Sequence, residues 1–323
     1  MLGFIGLRLL QAIPVLLVVG FIAFALFAYV GDPVTILLGQ DHTEAQRLEL
    51  IRQLGLDQPF FVQYGRFLWT ALHGNFGISY RLAQPVSGLL AERLPATLEL
   101  TVTASVLAFA LGVPMGVYTG IHRTTVLSRL LMMVSLAGVS LPTFLLGILL
   151  ILLFSVWLGW LPSFGRGPVV HLGSWWTTGF TSLAGVRALI LPSITLGLFQ
   201  MTLIMRLVRA EMLEVLRTDY IKFARARGLT SRAINFGHAL KNTLVPVITV
   251  IGLQFGGIVA FSLVTETVFQ WPGMGLLLVQ SVAAADIPVM AAYLMLIALV
   301  FVLINLVVDL LYYAVDPRLR VRR

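Results

Sequence analysis

Six uncharged, mostly apolar stretches divide the chain: Leu9 to Gly31, Leu100 to Ile121, Leu130 to Gly165, Ala188 to Met205, Asn242 to Thr265 and Ile287 to Val308. Each is close to or beyond the ~20 residues an α-helix needs to cross a bilayer. The pattern predicts an all-α integral membrane protein with about six transmembrane helices. The third stretch is too long for one straight crossing; Trp157 and Trp160 mark an interfacial depth, and the excess is expected to run past them into a turn at Pro162. A seventh uncharged stretch, Thr267 to Ala285, is interrupted by Pro272, Gly273 and Gly275. It reads as a re-entrant or surface segment, tolerable at membrane depth only where protein or a water-filled cavity shields its broken backbone. Pro114 and Pro142 are candidate kinks beside a pathway.

The polar residues gather in a few blocks. Gly31 to Pro95 mixes the acids Asp32, Asp41, Glu44, Glu49, Asp57 and Glu92 with Phe60, Phe61, Tyr64, Phe67 and Trp69. Within it Glu44 to Leu54 reads as a short helix, with Thr43 as N-cap and Gly55 as its terminating glycine. A block of this size forms at most a small cap, marginal as a free-standing domain. Pro162 to Arg187 is a second loop, carrying Trp175 and Trp176. The resulting division is 1–30 (N-terminus and first helix), 31–95 (an insertion between helices 1 and 2), 96–316 (the remaining five helices) and 317–323 (a basic tail).

Arg206 to Lys241 is the densest basic block, with eight Lys or Arg against three acids. Six crossings put both chain ends on one side. Arg8, Arg123, Arg129, this loop and Arg318, Arg320, Arg322 and Arg323 then place fifteen basic residues there against seven opposite. An excess of Lys and Arg marks the cytoplasmic face, so both termini and the basic loop are expected inside and the insertion outside. A seventh crossing through Thr267 to Ala285 would weaken that asymmetry.

Composition agrees with the periodicity: 59% of the 323 residues are hydrophobic and 11% charged, far from the quarter or so that soluble domains carry as charge. The net charge of +8 does not point to nucleic acid, because the basic residues flank apolar runs. With no cysteine, thiol catalysis and Cys-based metal sites are excluded. Neither Lys222 nor Lys241 follows a glycine, so there is no phosphate-binding Gly-x-x-x-x-Gly-Lys loop, and neither a His-Glu-x-x-His nor a Gly-x-Ser-x-Gly motif occurs. No catalytic residue, cofactor or metal site is expected, and His238 reads as a structural contact. No Asp or Glu falls in the middle of a crossing, which leaves a proton-driven secondary transporter unsupported. Glu266 and Asp286 bracket the broken stretch around Trp271. Either they sit in headgroup or water at its ends, or Glu266, Trp271 and Asp286 form an outer gate where negative charge meets a substrate amine.

Within the basic loop, Asp219 is placed to cap a helix from Tyr220 to Arg227, Gly228 to end it in a left-handed conformation, and Thr230 to cap a second helix from Ser231. Tyr220, Phe223, Ala224 and Arg227 fall at three- and four-residue spacing, with Lys222, Arg225 and Ala226 elsewhere. Small Ala224 and Ala226 among cations suit close seating in a groove of another protein. An ordinary basic flank and an anionic-lipid patch are the alternatives, and composition alone does not separate the three.

The residues themselves carry a resemblance. Asp219-Tyr-Ile-Lys-Phe-Ala-Arg-Ala-Arg-Gly-Leu-Thr, followed by His238-Ala-Leu-Lys-Asn242 and Val245-Pro246, resembles the cytoplasmic loop of ABC importer permeases of the peptide and nickel branch. The general loop signature of those importers is matched at Ala224, Gly228 and Leu240 and departed from at Lys222, Phe223, His238 and Lys241. Gly31-Asp-Pro33, Leu54-Gly-Leu-Asp-Gln-Pro59, His73-Gly-Asn-Phe-Gly-Ile-Ser79, Leu94-Pro-Ala-Thr-Leu-Glu99, Phe269-Gln-Trp-Pro-Gly-Met-Gly275 and Asp309 to Asp316-Pro-Arg are similar to landmarks of the first, B-type permease of that branch. The resemblance implies the type I importer permease fold, with Asp219, Tyr220, Lys222, Phe223, Ala224, Arg225, Ala226, Arg227 and Gly228 in a coupling helix seated in a cleft of an ATPase. It implies a heterodimer with a homologous second permease, two ATPase subunits that bind ATP and Mg, and a soluble extracytoplasmic binding protein, in a bacterial inner membrane. The implied cargo is a di- or oligopeptide, with glutathione, nickel or a metal chelate as alternatives. A stand-alone secondary transporter is the alternative of another class.

Overall fold

The computed structural model describes residues 2–29, 34, 38, 43–173 and 175–315. Eleven helices and one two-stranded hairpin are described: α1 (Leu2–Tyr29), α2 (Glu44–Leu54), α3 (Phe60–Leu72), α4 (Val86–Ile121), α5 (Val126–Ser140), α6 (Thr143–Leu150), β1 (Val170–Leu172), β2 (Trp176–Thr178), α7 (Leu183–Val215), α8 (Asp219–Ala226), α9 (Leu240–Val268), α10 (Met274–Ala283) and α11 (Ile287–Val315). Wider π-type turns extend α6 through Ile151–Trp157 and lead into α9 through Ala233–Ala239. Among the described residues α1, α4, α7 and α11 are each long and apolar enough to cross a bilayer. The bent pair α5–α6 is long and apolar enough only as one broken span, and the 29-residue α9 packs beside α7 and α11.

Glycines set the packing of the bundle's central pair. Gly112, Gly116 and Gly120 stand four residues apart on one face of α4. A Cβ at Gly112 would lie 2.9 Å from the Met201 carbonyl oxygen, and one at Gly116 2.7 Å from that of Met205 and 2.6 Å from the Val208 Cβ. Further along, a Cβ at Gly197 of α7 would meet the Ala104 carbonyl oxygen at 2.8 Å. Residue numbers rise together on both helices, so α4 and α7 are parallel and their backbones touch, as small residues permit in membranes. Between two parallel passes the chain must cross once more, which α5 and α6 do. Gly116→Val is expected to force the pair apart at a cost of about 3 kcal/mol, the upper end of the overpacking range, read as a lower unfolding temperature of the purified protein.

The other long helices alternate in direction. Gly252 and Gly256 of α9 face Val308 and Phe301 of α11, antiparallel. Arg8 on α1 pairs with Asp309 on α11 at 2.8 Å, and Gly20 meets Met295. The start of α1 and the end of α11 therefore lie at one end of the bundle.

Two boundaries differ from the sequence expectation. The helix α4 begins at Val86 rather than past Pro95, because Glu92, Arg93 and a buried Pro95 are carried inside it; the insertion is correspondingly shorter. The long third stretch is divided at Leu141-Pro142, where α5 and α6 diverge by 113°. A residue before proline avoids the α region, and the break redirects residues that were expected to overrun the interface. The stretch after α9 packs against the protein over its first half, where Phe269, Trp271 and Met274 are fully buried, while Gln280 and Val282 to Ala285 are exposed.

The insertion follows local chemistry closely. Thr43 and Gln46 form a reciprocal capping box at the start of α2, and Gly55 ends it at φ 68°. The helix α3 leans on α1 through Phe60, Tyr64 and Phe67, whose rings meet Phe24 at 5.1–5.8 Å. The Tyr64 hydroxyl donates to the Leu17 carbonyl at 2.7 Å.

Candidate functional site

The short helix α8 stands on the end of the bundle where α4 and α7 finish. Thr218 holds the N-cap position, so Asp219 is the first helical residue and not the cap expected of it; its carboxylate instead accepts from Lys222 Nζ at 2.8 Å. Gly228 ends the helix at φ 77°. Its amide donates to the Arg225 carbonyl at 2.9 Å and the Leu229 amide to that of Ala224 at 3.3 Å, the paired bonds of a Schellman ending. Thr230 Oγ1 then accepts from the Ala233 amide at 3.3 Å and starts the next helix, as expected.

Two residues seat α8 on its own chain. Ile221 and Ala224 are buried and belong to one apolar cluster with Val208 and Met212 of α7, Val117 of α4, and Ile234 and Ala239 of the following turn. Ala224 is thus committed inward and is not free to meet a partner, a correction to the expectation drawn from its small size. Ile221, which pattern reading did not single out, is the anchor; its spacing of three from Ala224 was the available signal. The opposite face carries Tyr220, Phe223, Arg225, Ala226 and Arg227, all exposed, with Phe223 at 65%. The Arg227 guanidinium lies 5.8 Å from the Phe223 ring centroid, and the Tyr220 hydroxyl accepts from Asn242 Nδ2 at 2.7 Å. Phe236 and Leu229 add to the exposed apolar surface. Aromatic residues with arginine are the composition of protein interfaces.

At the other end of the bundle, buried carboxylates tie loops to helices. Glu266 has no exposed surface; it accepts from Thr97 Oγ1 at 2.7 Å, Ser262 Oγ at 3.2 Å and the Leu276 amide at 3.0 Å. It therefore caps α10, and the glycines around it are there to make room: a Cβ at Gly273 would fall 2.4 Å from its carboxylate. Trp271 Nε1 donates to the Ala96 carbonyl at 2.9 Å. Asp286 accepts from Ser79 Oγ, the Tyr80 amide and the Arg81 amide, fastening the end of the insertion to the start of α11. Burial, with the Asp286 carboxylate beside it, pushes the Tyr80 phenol up to about 12. Glu266, Trp271 and Asp286 are at most 1% exposed, so in this conformation they hold structure together.

The pairing of a third buried carboxylate, at the start of the second apolar stretch, escaped the sequence reading. Glu99 Oε2 pairs with Arg166 Nη2 at 2.6 Å, while Arg166 also donates to the Thr177 hydroxyl and carbonyl and the Gly179 amide donates to Glu99. This knot fixes the β1–β2 hairpin to α4.

A helical membrane bundle that presents a capped, aromatic and basic helix at one end is the build of an importer permease, and the chain belongs to the family described as binding-protein-dependent transport system inner membrane component, matched over residues 112–321. Residues 1–101 match the N-terminal part described for the same systems. It is a non-catalytic permease subunit of a binding-protein-dependent ABC importer in the inner membrane. A protein of Brucella abortus (strain 2308) provisionally named a peptide transport system permease protein is 42% identical over 97% of both chains. The glutathione transport system permease protein GsiC of Escherichia coli (strain K12) is 41% identical over 99% of both. An inward-facing crystal form of the MetNI methionine ABC transporter superposes with a TM-score of 0.55 at 22% identity, over 71% of this chain and 96% of that one; this likeness concerns the fold.

Proposed function

We propose that this permease forms half of a peptide translocation path, pairing with a homologous second permease, with two ATPase subunits that bind ATP and Mg, and with a soluble extracytoplasmic binding protein. The observation that carries this reading is α8: one face locked by Ile221 and Ala224 to α7, the other offering Phe223, Tyr220 and Arg227. An ATPase that grips the exposed face moves α7, and because α7 and α4 touch backbone to backbone the pair moves as one body. Moving such an equilibrium from 1:99 to 99:1 takes about 5.5 kcal/mol of differential binding, within reach of ATP-driven closure. Both termini lie in the cytoplasm in this reading. The Arg8–Asp309 pair supports their common side, and the fifteen-to-seven basic bias favours that side as the inner one.

The cargo is a di- or oligopeptide, supported by the peptide-system relatives; glutathione, itself a peptide, is the second reading, favoured by the relative named for it. The assembled importer, reconstituted with its binding protein, is expected to raise its ATP hydrolysis with dipeptides or oligopeptides. Stimulation by glutathione alone would move the assignment to the second reading. A response to nickel or a chelate alone would overturn both.

A further inference from the structure

The bundle end that carries α8 also holds a pocket between α5 and α7 that the coupling role does not use. It is an open concavity of about 490 Å³, and Arg123, Arg129, Arg206 and Arg209 line it. No Asp or Glu lines it, and among the described residues none of the four guanidiniums has an acceptor. Four like charges around one concavity repel one another, and an anion placed between them removes that cost. Ser128 supplies an independent observation. It is 1% exposed, lines the same pocket, and its Oγ has no hydrogen-bond partner. Ser135, also on α5, donates in the ordinary way to the Met132 carbonyl at 2.9 Å. A buried hydroxyl left without a partner is costly, unless a ligand completes it.

The far wall of the pocket is apolar. Met132, Met133 and Leu136 continue it along α5, and Met133 and Leu136 are 64% and 63% exposed on the bundle's surface. Charge at the mouth with an oily flank running along a membrane helix is complementary to a molecule with an anionic head and a hydrocarbon tail. We propose that this pocket binds the phosphodiester headgroup of an anionic phospholipid. The arginine forks take the phosphate oxygens two at a time, Ser128 donates a further bond, and an acyl chain lies along Met133 and Leu136. Because the pocket bridges α5 and α7, the lipid braces the helix that carries α8.

Native mass spectrometry of the assembled importer, extracted from membranes containing zwitterionic and anionic phospholipids, tests this. An anionic phospholipid is expected to survive detergent exchange on the wild type. Arg129→Gln with Arg206→Gln should lower that retention by about fivefold for each arginine removed. Arg52→Gln removes one such charge from α2, at the other end of the bundle, and should leave retention unchanged. In delipidated complex, phosphatidylglycerol is expected to raise the unfolding temperature and inorganic phosphate is not. Equal retention by the wild type and the double variant would overturn the site. Protection by inorganic phosphate equal to that by phosphatidylglycerol would overturn a lipid as its source.

Discussion

Replacing Arg166 by Met is expected to destabilise the permease by about 3–5 kcal/mol, the range for a buried ion pair that loses one partner. The two side chains are 6% and 4% exposed and separated by 67 positions in sequence, so the pair is formed only by the fold. Without Arg166, Glu99 keeps a single long bond from the Gly179 amide at 3.2 Å, and the Thr177 carbonyl and hydroxyl lose their donor. The variant should show a lower unfolding temperature in the purified complex and less protein in the membrane. The companion experiment removes both charges. Arg166→Met with Glu99→Leu leaves an apolar pair of similar bulk, and such replacements are often neutral or stabilising. Recovery in the double variant to near the wild-type value is the expected result. If the double variant unfolds as early as Arg166→Met alone, the damage comes from lost packing of the long arginine stem, and the ion pair is not what fastens the hairpin to α4.

That pair also shows where sequence reading stops. Features decided within a few residues were legible: the Thr43–Gln46 capping box, Gly55 and Gly228 in left-handed conformation, and Thr230 starting a helix all stand where local chemistry predicts. The long apolar stretches of α1, α4, α7 and α11 were legible for the same reason, since each registers the bilayer on its own. The start of α4 was not, because charge was taken as a sign of water. Glu92 and Arg93 ride in its first turns, outside the apolar stretch but inside the helix. Asp219 failed as a cap for a different reason: Thr218 beside it takes the position, and residue type does not choose between neighbours. Partnerships across the chain were hidden altogether. Nothing in a linear pattern tells that Glu266 turns back to cap α10, or that Asp286 holds Ser79 from 207 positions away. The spacing Gly112, Gly116, Gly120 was in plain view, and its meaning as a contact between parallel helices depended on which helix it faced. Of the candidate coupling residues, the apolar spacing of Ile221 and Ala224 was sufficient to separate the seat from the exposed face, had burial within the chain been weighed before a partner's groove.

Phe223→Ala is expected to abolish substrate stimulation of ATP hydrolysis while leaving the permease itself intact. The side chain is 65% exposed and its ring contacts only the Arg227 guanidinium among the described aromatic and cation contacts, so little in its own chain depends on it. Truncating a central aromatic at an interface typically costs at least about 2 kcal/mol, near 30-fold in affinity. Capture of the ATPase subunits by the variant should weaken by that factor, with no change in the unfolding temperature of the permease. The contrasting variant is Ile221→Ala, at the buried anchor of the same helix. Loss of a buried isoleucine costs about 2–5 kcal/mol, so here the unfolding temperature and membrane abundance should fall together with coupling. The two variants lie two residues apart yet should fail by different routes, one through docking and one through folding. Full stimulation and undiminished ATPase capture by Phe223→Ala would sink the assignment of this face as the docking surface. The separation expected follows from the geometry: a helix that transmits force needs one face that yields to the partner and another that cannot come loose from α7.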